Sequence, residues 1–245
     1  MSPIYDCSVD SELLSGMRLA RAAIGRGELV VIPTDTVYGV AADAFNPAAV
    51  QRLLDAKGRG RQSPPPVLIP GIPTLAALAE VVPQAVTDLV QAFWPGGLTV
   101  VLPAQPSLVW DLGETRGTVA LRMPSDTVAL ELLSETGPLA VSSANLTGRP
   151  AARTAAEAEG MLGSSVEVYL EGGEAGGAYD RVDDRDSSST IVDATALAAG
   201  TGLLRILRHG VISEERIRAI VGDQLATADT TEPADTTGQA SDAPL

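Results

Sequence analysis

The chain has 245 residues, 45% apolar and 20% charged, with a formal net charge of −14. That length supports one large domain or two small ones, with a core that needs no disulfide or metal staple. A single cysteine, Cys7, and a single histidine, His209, exclude an internal disulfide, a CxxC metal knuckle and histidine-rich zinc sites, and the acid excess argues against holding nucleic acid mainly through phosphate neutralisation. No apolar run approaches the roughly 20 residues of a membrane helix. The N-terminal MSPIYDCSVDSELL does not read as a secretory signal, so a cytoplasmic location is expected.

In chain order, Ser11 to Ile24 has helical periodicity and is stopped by Gly25 and Gly27. LVVIP (29–33) reads as a buried strand. NPAAVQRLLDAKG (46–58) reads as a helix, with Asn46 as N-cap, Pro47 in the first turn and Gly58 just past the end. PVLI (66–69) is a strand; residues 73–93 form one or two helices, with Pro83 restarting the second. LTVVL (98–102) and TVALR (118–122) are strands, SDTVALELLSETG (125–137) a capped helix, and PLAVSS (138–143) a strand. TAAEAEGML (154–162) opens with a Thr-x-x-Glu capping box. VEVYL, STIVD and LLRIL are strand candidates, and SEERIRAIVG (213–222) is a closing helix. The pattern predicts an α/β fold, a twisted mixed sheet flanked by helices. The body is expected over 1–222. Residues 223–245, five acids and no bases, are expected to be a disordered acidic tail. The polar run 171–189 is a long loop.

Several stretches carry candidate chemistry. PTDTVYGVAADAFN (33–46) follows a strand; its Thr34 and Thr36 hydroxyls either hold a small polar ligand or close a turn with Asp35. Lys57 is the only lysine beside sixteen arginines, with Arg59 and Arg61 close behind it. One cation at a helix C-terminus offsets the helix dipole, worth about 0.3–1 kcal/mol; three within five residues call for an anion. A compact ammonium suits phosphate and a guanidinium offers a planar fork. Arg122 ends a strand in RMP (122–124), where it either grips a carboxylate or lies on the surface. SSANLTG (142–148) is either a phosphate cradle or an N-cap loop.

Taken in order, PTDTVYG, KGR, WPGGLT, RMP, SSANLTGRPA, STIVD and LRHG resemble the YrdC-like family, the threonylcarbamoyladenylate synthases, over about residues 12–221. The resemblance implies a YrdC-like twisted sheet with a concave cationic cleft. It implies a nucleotidyltransferase that joins L-threonine, bicarbonate or CO2, and ATP into threonylcarbamoyl-AMP and pyrophosphate, with Mg2+ accompanying ATP and no metal held by protein side chains. A threonylcarbamoyltransferase acting on tRNA would work downstream, with a weak direct tRNA contact. By resemblance, Lys57 and Arg59 are catalytic. Thr34, Thr36, Leu68, Arg122, Val141 and Ser189 bind threonine. Lys57, Arg61, Thr118, Ser143, Asn145, Ala151 and Arg208 bind ATP. Leu68 stands where the family often has histidine, Gly97 and His209 where proline is common, and Ala151 where a serine is frequent. Lys57→Ala is expected to leave the fold intact and to remove most activity, the ammonium being pictured as mobile and hydrated. The alternative is a non-catalytic RNA-binding module of the same fold, which the acidic charge and the 3% aromatic content oppose.

Overall fold

The computed structural model describes residues 2–179 and 187–227. Its elements run β1 (Ile4–Asp6), α1 (Asp10–Gly25), β2 (Val30–Ile32), β3 (Gly39–Asp43), α2 (Pro47–Lys57), β4 (Val67–Leu68), α3 (Ile72–Leu78) and α4 (Gln84–Phe93). They continue with β5 (Leu98–Pro103), β6 (Thr118–Arg122), α5 (Thr127–Thr136), β7 (Leu139–Ser143), α6 (Ala155–Leu162), β8 (Val168–Glu171), β9 (Thr190–Asp193), α7 (Thr195–Ala198), β10 (Arg205–Arg208) and α8 (Glu214–Val221).

Local chemistry explains the helix ends. Asn46 Oδ1 accepts the N–H groups of Ala48 and Ala49, Pro47 takes the first turn, and Gly58 ends α2 in the left-handed region at φ 63°. Asp126 caps α5 by accepting from Ala129 N. The capping box of α6 closes one residue early. Thr154 Oγ1 accepts from Glu157 N, but Glu157 Oε2 accepts from Arg153 N instead of Thr154 N.

The ten strands form one mixed sheet in the order β1-β8-β2-β3-β7-β4-β6-β5-β9-β10. β8 runs parallel to both β1 and β2, and β4/β6 and β5/β9 are also parallel, while β2/β3, β3/β7, β4/β7, β5/β6 and β9/β10 are antiparallel. Alternation along a strand sends successive side chains to opposite faces. Val30 and Ile32 accordingly pack with α1 and α5, whereas Val31 packs against α2 and α6. The other half of the sheet buries Val100, Leu102, Val119 and Leu121 in a third cluster with α3, α4 and α8.

Two strands differ from the sequence reading. β1 is three residues long with mostly exposed side chains, so periodicity had nothing to work on. β3 lies inside the stretch read as a loop. Its GVAAD side chains are small and buried on both faces, so neither alternation nor bulk marks it. The body also extends past residue 222. Leu225 bridges to Leu204 and is 2% exposed, and Ala226 N donates to Leu204 O. The rest of the expected tail, 228–245, and the centre of the polar run, 180–186, lie outside the described residues.

Leu102 on β5 is completely buried in the third cluster. Leu102→Ala is expected to cost about 2–5 kcal/mol, through lost burial plus a residual cavity. Urea denaturation of the two chains checks this.

Candidate active site

One pocket of about 430 Å3 opens where the loop between β2 and β3, the loop after β7, and residues of β4, β5, β6, β9 and β10 converge. The β2–β3 loop is a built turn. Thr34 Oγ1 donates to Val37 O at 2.6 Å and accepts the N–H groups of Thr36 and Val37. The Thr34 hydroxyl is thus spent on the turn, and Thr36 Oγ1 accepts from Arg122 Nη1 at 2.9 Å. Gly39 starts β3 against β7; a Cβ there would lie 2.5 Å from Val141 Cγ1, so only glycine lets the turn sit on the pocket wall.

Arg122, at the end of β6, is 7% exposed. Its Nε donates to Gly96 O at 2.9 Å, Nη1 to Thr36, and Nη2 to Asp35 Oδ1 at 2.8 Å. Asp35 Oδ1 also accepts from Ser125 N. Among the described residues three of the five guanidinium N–H groups find partners, which leaves two for a ligand. Opposite, Arg208 donates through Nε and Nη2 to Ser189 O and through Nη2 to Ser189 Oγ, which lies 2.8 Å from Thr99 Oγ1. Burial, then the nearby charges of Arg122 and Arg59, disfavours the charged form of Arg208. Cations packed this closely are relieved by an incoming anion.

Lys57 is placed differently from expectation. It is 1% exposed and does not line the pocket. Its Nζ donates to the carbonyls of Ser143 and Asn145 and to Asn145 Oδ1, so it clasps the back of the loop after β7. The ammonium is dehydrated and fixed, not mobile and hydrated. Burial, and next the Arg59 charge, pull its pKa down to about 7. The loop is held from the front as well, since Arg59 Nε donates to Thr147 Oγ1 and Nη1 to Ser142 Oγ. Asn145 Nδ2 donates to Leu146 O and Arg149 O.

Of the other residues named from sequence, Leu68, Val141, Ser143, Asn145, Ala151 and Ser189 all line the pocket with Thr34, Thr36, Arg59, Arg122 and Arg208. Two do not. Arg61 is exposed and pairs with Asp111, while Arg59 turns to Thr147 and Ser142. Thr118 begins β6, about 13 Å along the strand from Arg122 at roughly 3.3 Å per residue, and its hydroxyl donates to Thr115 O. Sequence reading missed Thr99, Arg149 and Tyr38, which also line the pocket. Thr99 was hidden in an apolar strand, and Arg149 was visible only as a charge in SSANLTGRPA. Tyr38 was in the quoted loop motif; its hydroxyl bonds Glu171 Oε1 at 2.6 Å and receives Gly172 N–H.

A model of the Sua5/YciO/YrdC family, described by the words "Telomere recombination", matches residues 22–210. A Mycobacterium leprae protein, provisionally named threonylcarbamoyl-AMP synthase, is 46% identical over 222 residues, covering 91% of this chain and 95% of that one. A Bacillus subtilis protein named threonylcarbamoyl-AMP synthase is 35% identical over 206 residues, covering 83% of this chain and 56% of that one. Among solved structures, Pyrococcus abyssi Sua5 complexed with L-threonine superimposes with a TM-score of 0.78 at 30% identity, over 96% of this chain and 66% of that chain. Escherichia coli YciO shares the fold, with a TM-score of 0.73 at 21% identity.

Lys57→Met is expected to lower stability by about 2–4 kcal/mol, since it leaves buried carbonyls without a donor. The penalty should grow between about pH 7 and pH 9. The unfolded lysine, near 10.5, binds its proton there while the folded one, near 7, releases it, so wild type gains stability as pH rises. Chemical denaturation of both chains across that range checks the sign.

Proposed function

The chain belongs to the Sua5/YciO/YrdC family, and on that premise we propose that it is a threonylcarbamoyl-AMP synthase, a nucleotidyltransferase. It converts L-threonine, bicarbonate or CO2, and ATP into threonylcarbamoyl-AMP and pyrophosphate, supplying a threonylcarbamoyltransferase that modifies tRNA. The observation that carries this reading is the pocket lining. Arg59, Arg122, Arg149 and Arg208 share one hollow with serine and threonine hydroxyls, and among the described residues no acidic side chain lines it. In a chain of net charge −14, such a local gathering of cations is what three anionic reactants need.

The threonine carboxylate pairs with the free N–H groups of Arg122, and its apolar carbons lie against Leu68 and Val141. The neutral threonine amine takes up CO2 and loses a proton to give a carbamate. A carbamate oxygen then attacks the α-phosphorus of ATP, and pyrophosphate leaves. The nucleophile is already an anion, so the step needs positioning and charge neutralisation and not a strong base. Arg59, Arg149 and Arg208 face the phosphates. The backbone of the loop after β7, clasped by Lys57, holds the nucleotide near Ser143 and Asn145. Mg2+ would neutralise phosphate charge. Among the described residues no group of three or more His, Cys, Asp or Glu is placed to hold a metal ion. Among the described residues no helix is long and apolar enough to cross a membrane, and a cytoplasmic location fits the reaction.

Incubation with ATP, L-threonine, bicarbonate and Mg2+ should yield pyrophosphate and the adenylate, with serine a poorer substrate. Threonine-independent release of pyrophosphate, or none, would sink the reading. Arg122→Lys should raise the threonine KM more than about tenfold, because an ammonium cannot serve Gly96 O, Thr36 and Asp35 together and still reach a carboxylate.

A further inference from the structure

Asp35 accepts from Arg122 and Ser125 on one oxygen; the other, Oδ2, accepts from the Tyr179 hydroxyl at 2.8 Å. Tyr179 comes from the connection between β8 and β9, 144 residues further along the chain. Its position is prepared. A Cβ at Gly96 would fall 2.7 Å from Phe93 O and one at Gly97 would clash with Val211 Cγ2; they would lie 3.2 and 3.1 Å from the phenol oxygen, so the two glycines leave room for the phenol as well as for the turn and Val211. Burial and the Asp35 charge raise its pKa, so it stays a donor over the working pH range.

A carboxylate can meet a guanidinium with one oxygen or with both, and the two-oxygen fork is the stronger arrangement. Here the fork is not made: the Arg122–Asp35 contact uses Oδ1 alone while the phenol holds Oδ2. Released, the carboxylate would be free to turn both oxygens to Arg122 and consume the N–H groups left for a ligand. We propose that Tyr179 is a positioning residue that, by occupying the second oxygen of Asp35, keeps Arg122 singly paired and available to the carboxylate of the amino-acid substrate. The proposal rests on reading Arg122 as the carboxylate anchor.

The test compares wild type, Tyr179→Phe, Asp35→Asn and the double variant, by pyrophosphate release with threonine or ATP varied. Calorimetric titration of L-threonine without ATP and thermal melting accompany it. Tyr179→Phe should raise the threonine KM and Kd about five- to tenfold, the size of one net hydrogen bond, with kcat and the ATP KM changed less than about twofold. In the Asp35→Asn background the second substitution should add nothing. An unchanged threonine Kd, or a loss confined to kcat alongside a lower melting temperature, overturns the proposal. Threonine binding by a wild type that makes no pyrophosphate sinks the synthase reading alone, and the Kd comparison then decides Tyr179. Absence of threonine binding by wild type overturns both.

Discussion

The buried pairing of Arg122 with Asp35 holds the two halves of the pocket in one shape. Both side chains are nearly inaccessible, 8% and 3% exposed. Taking two charges out of water costs several kcal/mol per ion, and their attraction repays it only when the remaining donors and acceptors are also satisfied. Gly96 O, Thr36 Oγ1, Ser125 N and Tyr179 OH meet that condition. The pair therefore ties together the β2–β3 loop, β6, the turn before β5, the start of α5 and the β8–β9 connection. Such an arrangement contributes less to net stability than to allowing a single geometry, and a single geometry is what bringing three reactants together requires.

Lys57 is a second buried cation with a different task. A guanidinium is planar and needs acceptors in its plane, whereas an ammonium directs three donors around one axis. The oxygens it meets are Ser143 O, Asn145 O and Asn145 Oδ1, all on one curved stretch of chain. That accounts for one lysine persisting among sixteen arginines. With carbonyls drawn backward to the ammonium, the loop between β7 and α6 keeps a fixed curve. The cation shapes the wall of the pocket from behind it.

Much of this was legible in the sequence, because it is written in short-range chemistry. Asn46, Pro47 and Gly58 mark α2 through bonds made within four residues, and the order of loop motifs pointed to the residues that share the pocket. What was illegible depended on which neighbour a side chain meets across the sheet. Three cations in DAKGRGR look alike on paper. Folding sends one into a carbonyl cage, one to the pocket and one to a surface pair with Asp111. Thr34, open on paper to a ligand or a turn, closes the turn and also lines the pocket. Tyr179 sat in a polar run with no periodicity, so nothing nearby in sequence indicated its bond to Asp35. β3, without bulky side chains or alternation, was invisible for the opposite reason: both its faces are buried.

The strand order bears on how the chain comes off the ribosome. β2, an early strand, is flanked by β3 and by β8, and β1 pairs with β8. β5 likewise pairs with β9, with Leu98 set against Thr190. Closing loops this long forfeits chain entropy before any contact is gained, and sheets built this way assemble slowly. At ~5–20 residues per second, the first two strands wait roughly 7–30 seconds for the partner that covers their edges. During synthesis the N-terminal third is thus a nascent surface with an unfilled slot, the interval in which a chaperone has most to do.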